Sequence, residues 1–359
     1  MRSPIASLPF VLVLSSMSAA LVGQDEAQAP WPDPKVEQHD LLQQLVGTWR
    51  VRTKMPAMPG VPGMEKASEM SGIERAELIC DGLWLKATGR GEHEGQQAEG
   101  IWLLGYDPFA KVYKCVAVSS MEGGAAVLDA RFDRDTKTWV FDGSTKMGRM
   151  ISEFVIQDAD HTVETAYGVS EDGEKTRWMT MERTRVKEPK GEAPRAVAEA
   201  VAAPDQERPA PAAALLADVG TWNAAFTMEM PGAPAMKAAC REEIVPVCGG
   251  NWTWSTFSGE MMGAPFVGHS LTGYDPATET VTCFWFDSGN SAFMRTDGEY
   301  DAESRTFTMK GSSYGPDGEL APVRSTSVTA EDGTRSFRMV FGEGDAESVM
   351  TIQYSRSRE

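Results

Sequence analysis

The tetrapeptide Gly-Tyr-Asp-Pro occurs at Gly105–Pro108 and again at Gly273–Pro276, 168 residues further on. The same offset relates Cys80 to Cys248, Trp84 to Trp252 and Cys115 to Cys283. A register kept over that distance means that a whole domain was copied, so any fold proposed for this chain has to be built twice. Each tetrapeptide sits between two runs of strand-forming residues, Gly100–Ser119 in the first copy and Gly268–Asp287 in the second. Proline fixes φ at a turn position, aspartate bonds neighbouring amides, and glycine reaches angles other residues avoid. Each stretch therefore reads as a β-hairpin. Its tyrosine is suited to cover a barrel end with the hydroxyl in water.

The other turn signals fall at short, even intervals. They are Asp81-Gly82, Glu122-Gly123-Gly124, Asp133-Arg134-Asp135 and Asp172-Gly173, with counterparts at Gly249-Gly250, Asp287-Ser288-Gly289, Asp301-Ala302-Glu303 and Asp332-Gly333. About ten short runs per copy, so spaced, argue an all-β sandwich or barrel. The last strand alternates most cleanly: Met179, Met181, Arg183 and Arg185 match Met350, Ile352, Tyr354 and Arg356 on one face. Between the copies, Glu188–Ala212 is rich in Ala, Pro and Glu and lacks aromatics, which is linker composition. The expected organisation is residues 1–23 as a signal peptide, 38–187 as the first barrel, 188–212 as the linker and 213–359 as the second barrel.

Both copies open alike. His39–Val46 has helical spacing, with Leu41, Leu42 and Leu45 on one face, and Gly47-Thr48-Trp49 follows. In the second copy Ala213–Val219 precedes Gly220-Thr221-Trp222. A short helix followed by Gly-Thr-Trp resembles the start of calycin barrels, the lipocalin and fatty-acid-binding group. With the segment Gly259–Gly268, the Gly-Tyr-Asp-Pro turn and the strand Met350–Arg356, the chain resembles a tandem repeat of the calycin-like family known as domain of unknown function 1579. The first copy departs from the pattern at Glu92–Gln97. The resemblance implies two tandem lipocalin-like antiparallel β-barrels of about ten strands, each with a short helix plugging one end over the tryptophan. It carries no established activity and no catalytic residues.

Composition narrows the function classes. The formal net charge is −18. A sequence-independent grip on nucleic acid needs clustered Lys and Arg, so none is expected. At the N-terminus, Arg2 and the largely apolar Ile5–Val22 read as a secretory signal, cleaved after Ala20 or Gly23. That run is short and broken by Pro4 and Pro9, a poor transmembrane helix, and no later run is long and apolar enough to span a bilayer. The expected location is periplasmic or extracellular. Export permits disulfides. The equal spacing of Cys80 and Cys115, and of Cys248 and Cys283, suggests either one bridge per copy or small buried residues at matching core positions. Cys240 has no counterpart.

Candidate chemistry is sparse. Met228, Met230, Met236, Met261 and Met262 fall in loops that can meet at one barrel mouth. They suit packing there, an adaptable lid over an apolar ligand or, as soft thioethers, Cu(I). The four histidines, His39, His93, His161 and His269, occupy no equivalent positions, and no zinc motif occurs. His39 reads as a polar residue at a helix start. Asp107 and Asp275 are explained by turn chemistry. Asp133, Asp135, Asp158 and Asp160 read as hairpin turns, with calcium the alternative. Asn251-Trp252-Thr253 is a glycosylation sequon by pattern, in a stretch that reads as strand. There is no nucleophile elbow and no P-loop. Tyr354 and Arg356 share a face of the last strand, and a similar pair grips a carboxylate in fatty-acid-binding barrels. Frayed C-terminal residues are the plain alternative.

The sequence thus supports an exported, non-enzymatic binding module for a small apolar or amphipathic ligand, without a cofactor or metal. Met230, Trp252, Met261, Met262, Phe266, Tyr354 and Arg356 are the candidate ligand-binding residues. The alternatives are an enzyme with a barrel-mouth site and an interaction protein with solid barrels.

Overall fold

The computed structural model describes residues 34–59, 65–93, 95–121, 123–145, 148–187, 208–315, 318–344 and 347–357. The expected signal segment and most of the linker lie outside them. The first copy opens with a 3₁₀ helix, Glu37–Leu45. Its buried residues, His39, Leu42 and Leu45, recur every third position, which suits three residues per turn. Ten strands follow: β1 (Gly47–Met55), β2 (Ser68–Ile79), β3 (Trp84–His93), β4 (Gln96–Asp107), β5 (Val112–Ser119), β6 (Ala126–Asp133), β7 (Thr138–Thr145), β8 (Gly148–Ile156), β9 (His161–Val169) and β10 (Lys175–Arg185). Each pairs antiparallel with its sequence neighbours, and β10 returns to β1 to close the barrel.

The second copy opens with an α-helix, α1 (Ala210–Ala217). Pro211 sits in its first turn, where a missing amide costs nothing. Ala210–Ala212, expected in the linker, therefore belong to the second domain. The strands are β11 (Gly220–Glu229), β12 (Met236–Val247), β13 (Trp252–Met261), β14 (Ala264–Asp275), β15 (Thr280–Asp287), β16 (Met294–Asp301), β17 (Thr306–Tyr314), β18 (Leu320–Thr329), β19 (Arg335–Phe341) and β20 (Ser348–Arg356). They close into a second barrel through β11 and β20. Inward residues alternate with outward ones, as along β11, where Trp222, Ala224, Phe226 and Met228 are buried between exposed neighbours.

The Gly-Thr-Trp motif fastens each helix to its barrel. Trp49 Nε1 donates to Leu45 O at 3.0 Å, and Trp222 Nε1 to Asp218 O at 2.8 Å. Across the closing strand pair, Trp49 faces Arg185 and Trp222 faces Arg356. Each guanidinium lies over the indole, 4.0 Å and 4.1 Å from the ring centre. Arg185 donates to Val46 O and Gln44 O, and Arg356 to Val219 O and Ala217 O. These are carbonyls at helix ends, which have no intrahelical donor. Gly47 and Gly220 have φ of +142° and +131°, and a Cβ there would meet the guanidinium at 2.2 Å and 2.5 Å, so only glycine fits.

The turns follow the expected chemistry. Asp107 Oδ1 accepts from the amides of Phe109 and Ala110, and Asp275 Oδ1 from that of Ala277. Asp133 and Asp158 likewise accept turn amides. Of the two readings of the cysteine spacing, the structure has the unbridged one: all five cysteines are free thiols. In each pair one thiol faces the barrel core (Cys115, Cys283), whereas the other, Cys80 or Cys248, sits in a 3₁₀ turn before the third strand.

Candidate functional site

A cavity of about 220 Å³ occupies the second barrel. Leu215 of α1 contributes at the plugged end, and Phe226, Met228, Phe257, Met339 and Ile352 supply much of the apolar wall. The 168-residue offset shows how the space arises. Leu85, Trp102, Leu104 and Tyr113 of the first barrel are replaced by Thr253, Ser270, Thr272 and Val281, all on the cavity wall. In the first barrel Leu85, Leu104 and Tyr113 pack with Leu42 and Leu45 into a solid core under the helix. Tyr113 and Trp139 meet edge to face at 4.7 Å. The first barrel is hollow elsewhere. Its cavity, about 230 Å³, is lined by Met70, Gly72, Gly89, Gly91 and Ala117 toward the β1–β2 loop, and reaches Glu74, Trp102 and Arg183. The second barrel has Phe257 and Trp285 where Gly89 and Ala117 stand.

Each barrel carries a buried charge cluster. In the first, Arg183 Nε donates to Glu74 Oε1 at 3.1 Å, and Nη1 to Glu164 Oε2 at 2.9 Å. Trp102 Nε1 holds the other Glu74 oxygen at 2.9 Å, and Ser152 Oγ the other Glu164 oxygen at 2.7 Å. All four carboxylate oxygens are engaged, which is what burial of such a cluster requires. In the second barrel Glu242 keeps the position of Glu74, but Tyr354 stands where Arg183 stood. The arginine has moved to the neighbouring strand as Arg335, directly opposite Tyr354.

Arg335 is 7% exposed and lines the cavity. It pairs with Glu242 Oε2 and, at 3.4 Å, with Asp218 Oδ2. Its guanidinium lies 3.9 Å from the Tyr354 ring centre and 4.9 Å from that of Trp222. Ser255 Oγ donates to the second Glu242 oxygen at 2.5 Å. The Arg335 Nε–H has no hydrogen-bond partner among the described residues. Burial pushes the Asp218 carboxyl above its ordinary range, against the pull of Arg335. Asp287, also on the cavity wall, is pushed up to about 6 by burial, although Trp285 Nε1 and the amides of Gly289 and Asn290 donate to it.

The sequence-predicted residues divide. Met261, Phe266 and Tyr354 line the cavity. Met230 and Met262 pack against the surrounding core without lining it. Trp252 is buried but off the cavity wall, because alternation along β13 gives the inner face to Thr253, Ser255 and Phe257. Arg356 is not on the cavity wall; its guanidinium meets the helix carbonyls and the Trp222 ring. His39 sits in the first turn of the opening helix, as expected of a polar residue at a helix start, and is buried there at 1% exposed. Its Nδ1 meets the Val36 backbone, and burial lowers its pKa. Sequence reasoning missed Arg335, Glu242, Asp218 and Asp287. One signal was present: Glu74 and Glu242 keep the 168-residue offset, and Glu242 shares strand parity with Cys240 and Ile244.

Two closed ten-stranded meanders, each plugged by a helix tied to a Gly-Thr-Trp strand, define a tandem calycin-like barrel protein. The chain belongs to the DUF1579 family, described as "protein of unknown function", whose profile matches residues 34–185 and 208–356. No curated protein sequence matches the chain. Similar solved structures include an S-type phycobiliprotein lyase from Guillardia theta, at 10% identity and TM-score 0.32, covering 44% of this chain and 97% of that one. A DUF3598 protein of unknown function from Nostoc punctiforme matches at 10% identity and TM-score 0.26, covering 90% and 100%. A putative outer membrane protein from Bacteroides fragilis matches at 10% identity and TM-score 0.22, covering 88% and 99%. At these scores the likeness carries no functional information.

Proposed function

We propose that the second barrel is a non-enzymatic binding module for one small, mostly apolar molecule, and that the protein acts after export to the periplasm or beyond. The observation that carries the first part is the cavity beside α1. Its wall is mainly apolar, with a few convergent polar groups, the usual make-up of a small-molecule site. A dry engineered cavity of about 150 Å³ accepts benzene, so at the same packing this one takes roughly nine non-hydrogen atoms. Export rests on the N-terminal sequence pattern alone.

Octan-1-ol is a probe of that size, and uptake by the full chain is measured by titration calorimetry. Ser270→Trp restores at this wall the indole that Trp102 provides in the first barrel. The expected result is loss of octanol uptake with the fold retained, read from unchanged circular dichroism. Uptake that survives Ser270→Trp, or no uptake by the wild-type chain, would overturn the proposal.

A further inference from the structure

We infer that the ligand of the second barrel is uncharged and presents a carbonyl or hydroxyl oxygen to Arg335, so that carboxylates such as fatty acids are rejected. The inference rests on the reading of this barrel as a binding module and deepens it to a ligand class.

Three observations converge. First, the charged residues on the cavity wall are Asp218, Glu242, Asp287 and Arg335, three acids against one base. Second, the one guanidinium is already neutralised. Glu242 and Asp218 both pair with it, and Ser255 fixes Glu242 in place. A ligand carboxylate approaching Arg335 would lie beside two protein carboxylates in a mainly apolar cavity, where like charges repel strongly. Third, one strong donor is left over. Arg335 Nε–H is buried without an acceptor, and leaving such a donor unsatisfied is costly. A neutral oxygen acceptor cancels that cost and adds no charge. An ammonium group brings no acceptor and leaves the Nε–H as it was.

The first barrel supplies the contrast. There Trp102 and Ser152 complete the Arg183–Glu74–Glu164 cluster. In the second barrel Ser270 stands at the Trp102 position, and the space that indole fills belongs to the cavity wall.

Octanamide and octanoate have the same shape and differ in charge, and octylammonium provides the opposite sign. All three are titrated into the full chain at neutral pH. Octanamide is expected to bind at least about tenfold tighter than octanoate, given the cost of like-charge contact, and also tighter than octylammonium. Octanoate or octylammonium binding as tightly as octanamide overturns this inference while leaving the cavity reading intact. Failure of all three and of octan-1-ol removes both. Glu242→Gln keeps the side-chain shape and removes one negative charge. It is expected to narrow the preference for octanamide over octanoate by about tenfold, again from the like-charge cost. An unchanged preference in that variant would show that the carboxylates are not the selecting groups.

Discussion

Replacing Arg356 with alanine separates two roles for the last strand: fastening the plug and gripping a ligand. The structure assigns the first. The substitution removes two hydrogen bonds, to Val219 O at 2.6 Å and Ala217 O at 2.7 Å, and a stacking contact with Trp222. Charge-assisted bonds contribute about 1.5–3 kcal/mol when protected. Arg356 is exposed, so solvent screening brings each to about 1 kcal/mol. The cation–π contact adds about 0.5 kcal/mol at an exposed site. The total, about 2.5 kcal/mol, corresponds to roughly 60-fold more frequent opening of the segment it fastens. Hydrogen exchange read by mass spectrometry on peptides covering Ala210–Ala217 measures this directly. The expected result is roughly 60-fold faster exchange in α1, with the 3₁₀ helix of the first barrel unaffected. Arg185→Ala should give the mirror result at Glu37–Leu45. If α1 exchange stays at the wild-type rate while octanol affinity falls, the fastening argument is wrong and Arg356 contacts the ligand.

Two further outcomes follow from buried groups. Asp287 titrates at about 6 in the folded chain against 3.8 for the free side chain, so the folded state holds that proton longer. Its contribution to stability should therefore be fully present below about pH 4 and fall as pH rises to about 6, by about 3 kcal/mol, then stay flat. Urea unfolding across that range should show the stability difference between wild type and Asp287→Asn shrinking by about that amount, and parallel curves would refute it. The second outcome concerns the thiols. Burial pushes Cys283 up to about 11, and Cys115 also well up, so neither should react with a thiol reagent until the chain unfolds. After alkylation in denaturant without reductant, the intact mass of the exported chain should show five modified cysteines and a start just after Ala20 or Gly23. A mass with two fewer modifications would mean a disulfide.

The repeat, the strand count and the plugging helices were legible in the sequence because each depends on local chemistry. Turn residues, alternation and helical spacing all act within a few positions of one another. The role of Arg356 was misassigned for a geometric reason. Strand parity puts it on the face of Tyr354, but it stands at the barrel rim, where the first carbonyls it meets belong to α1. Trp252 was misread through parity alone, since one step along β13 exchanges wall for exterior. The charge cluster was harder to see. Arg335 lies 93 residues from its partner Glu242, and its position in the first copy is taken by Thr162. A comparison of the two copies therefore pairs an arginine with a threonine and hides the exchange between neighbouring strands. The cysteines show the complementary failure: a spacing conserved in both copies recorded a duplicated core without recording a bond.

The two cavities, about 220 and 230 Å³, are nearly equal although different residues shape them. Strand number accounts for this. Barrel diameter grows with the number of strands, and about eight strands enclose just the space that side chains fill. Ten strands enclose more, so a void has to remain in each barrel, and the sequence decides only where it lies. In the first barrel large residues gather under the helix and glycines leave the other end open. In the second, serine and threonine hollow the plugged end, while Phe257 and Trp285 fill the positions that were small. In both barrels the cavity reaches the buried charge cluster: Glu74 and Arg183 line the first, and Arg335, Glu242 and Asp218 the second. What differs is the completion of the cluster: Trp102 Nε1 donates to Glu74 in the first barrel, and Ser270 stands at that position in the second.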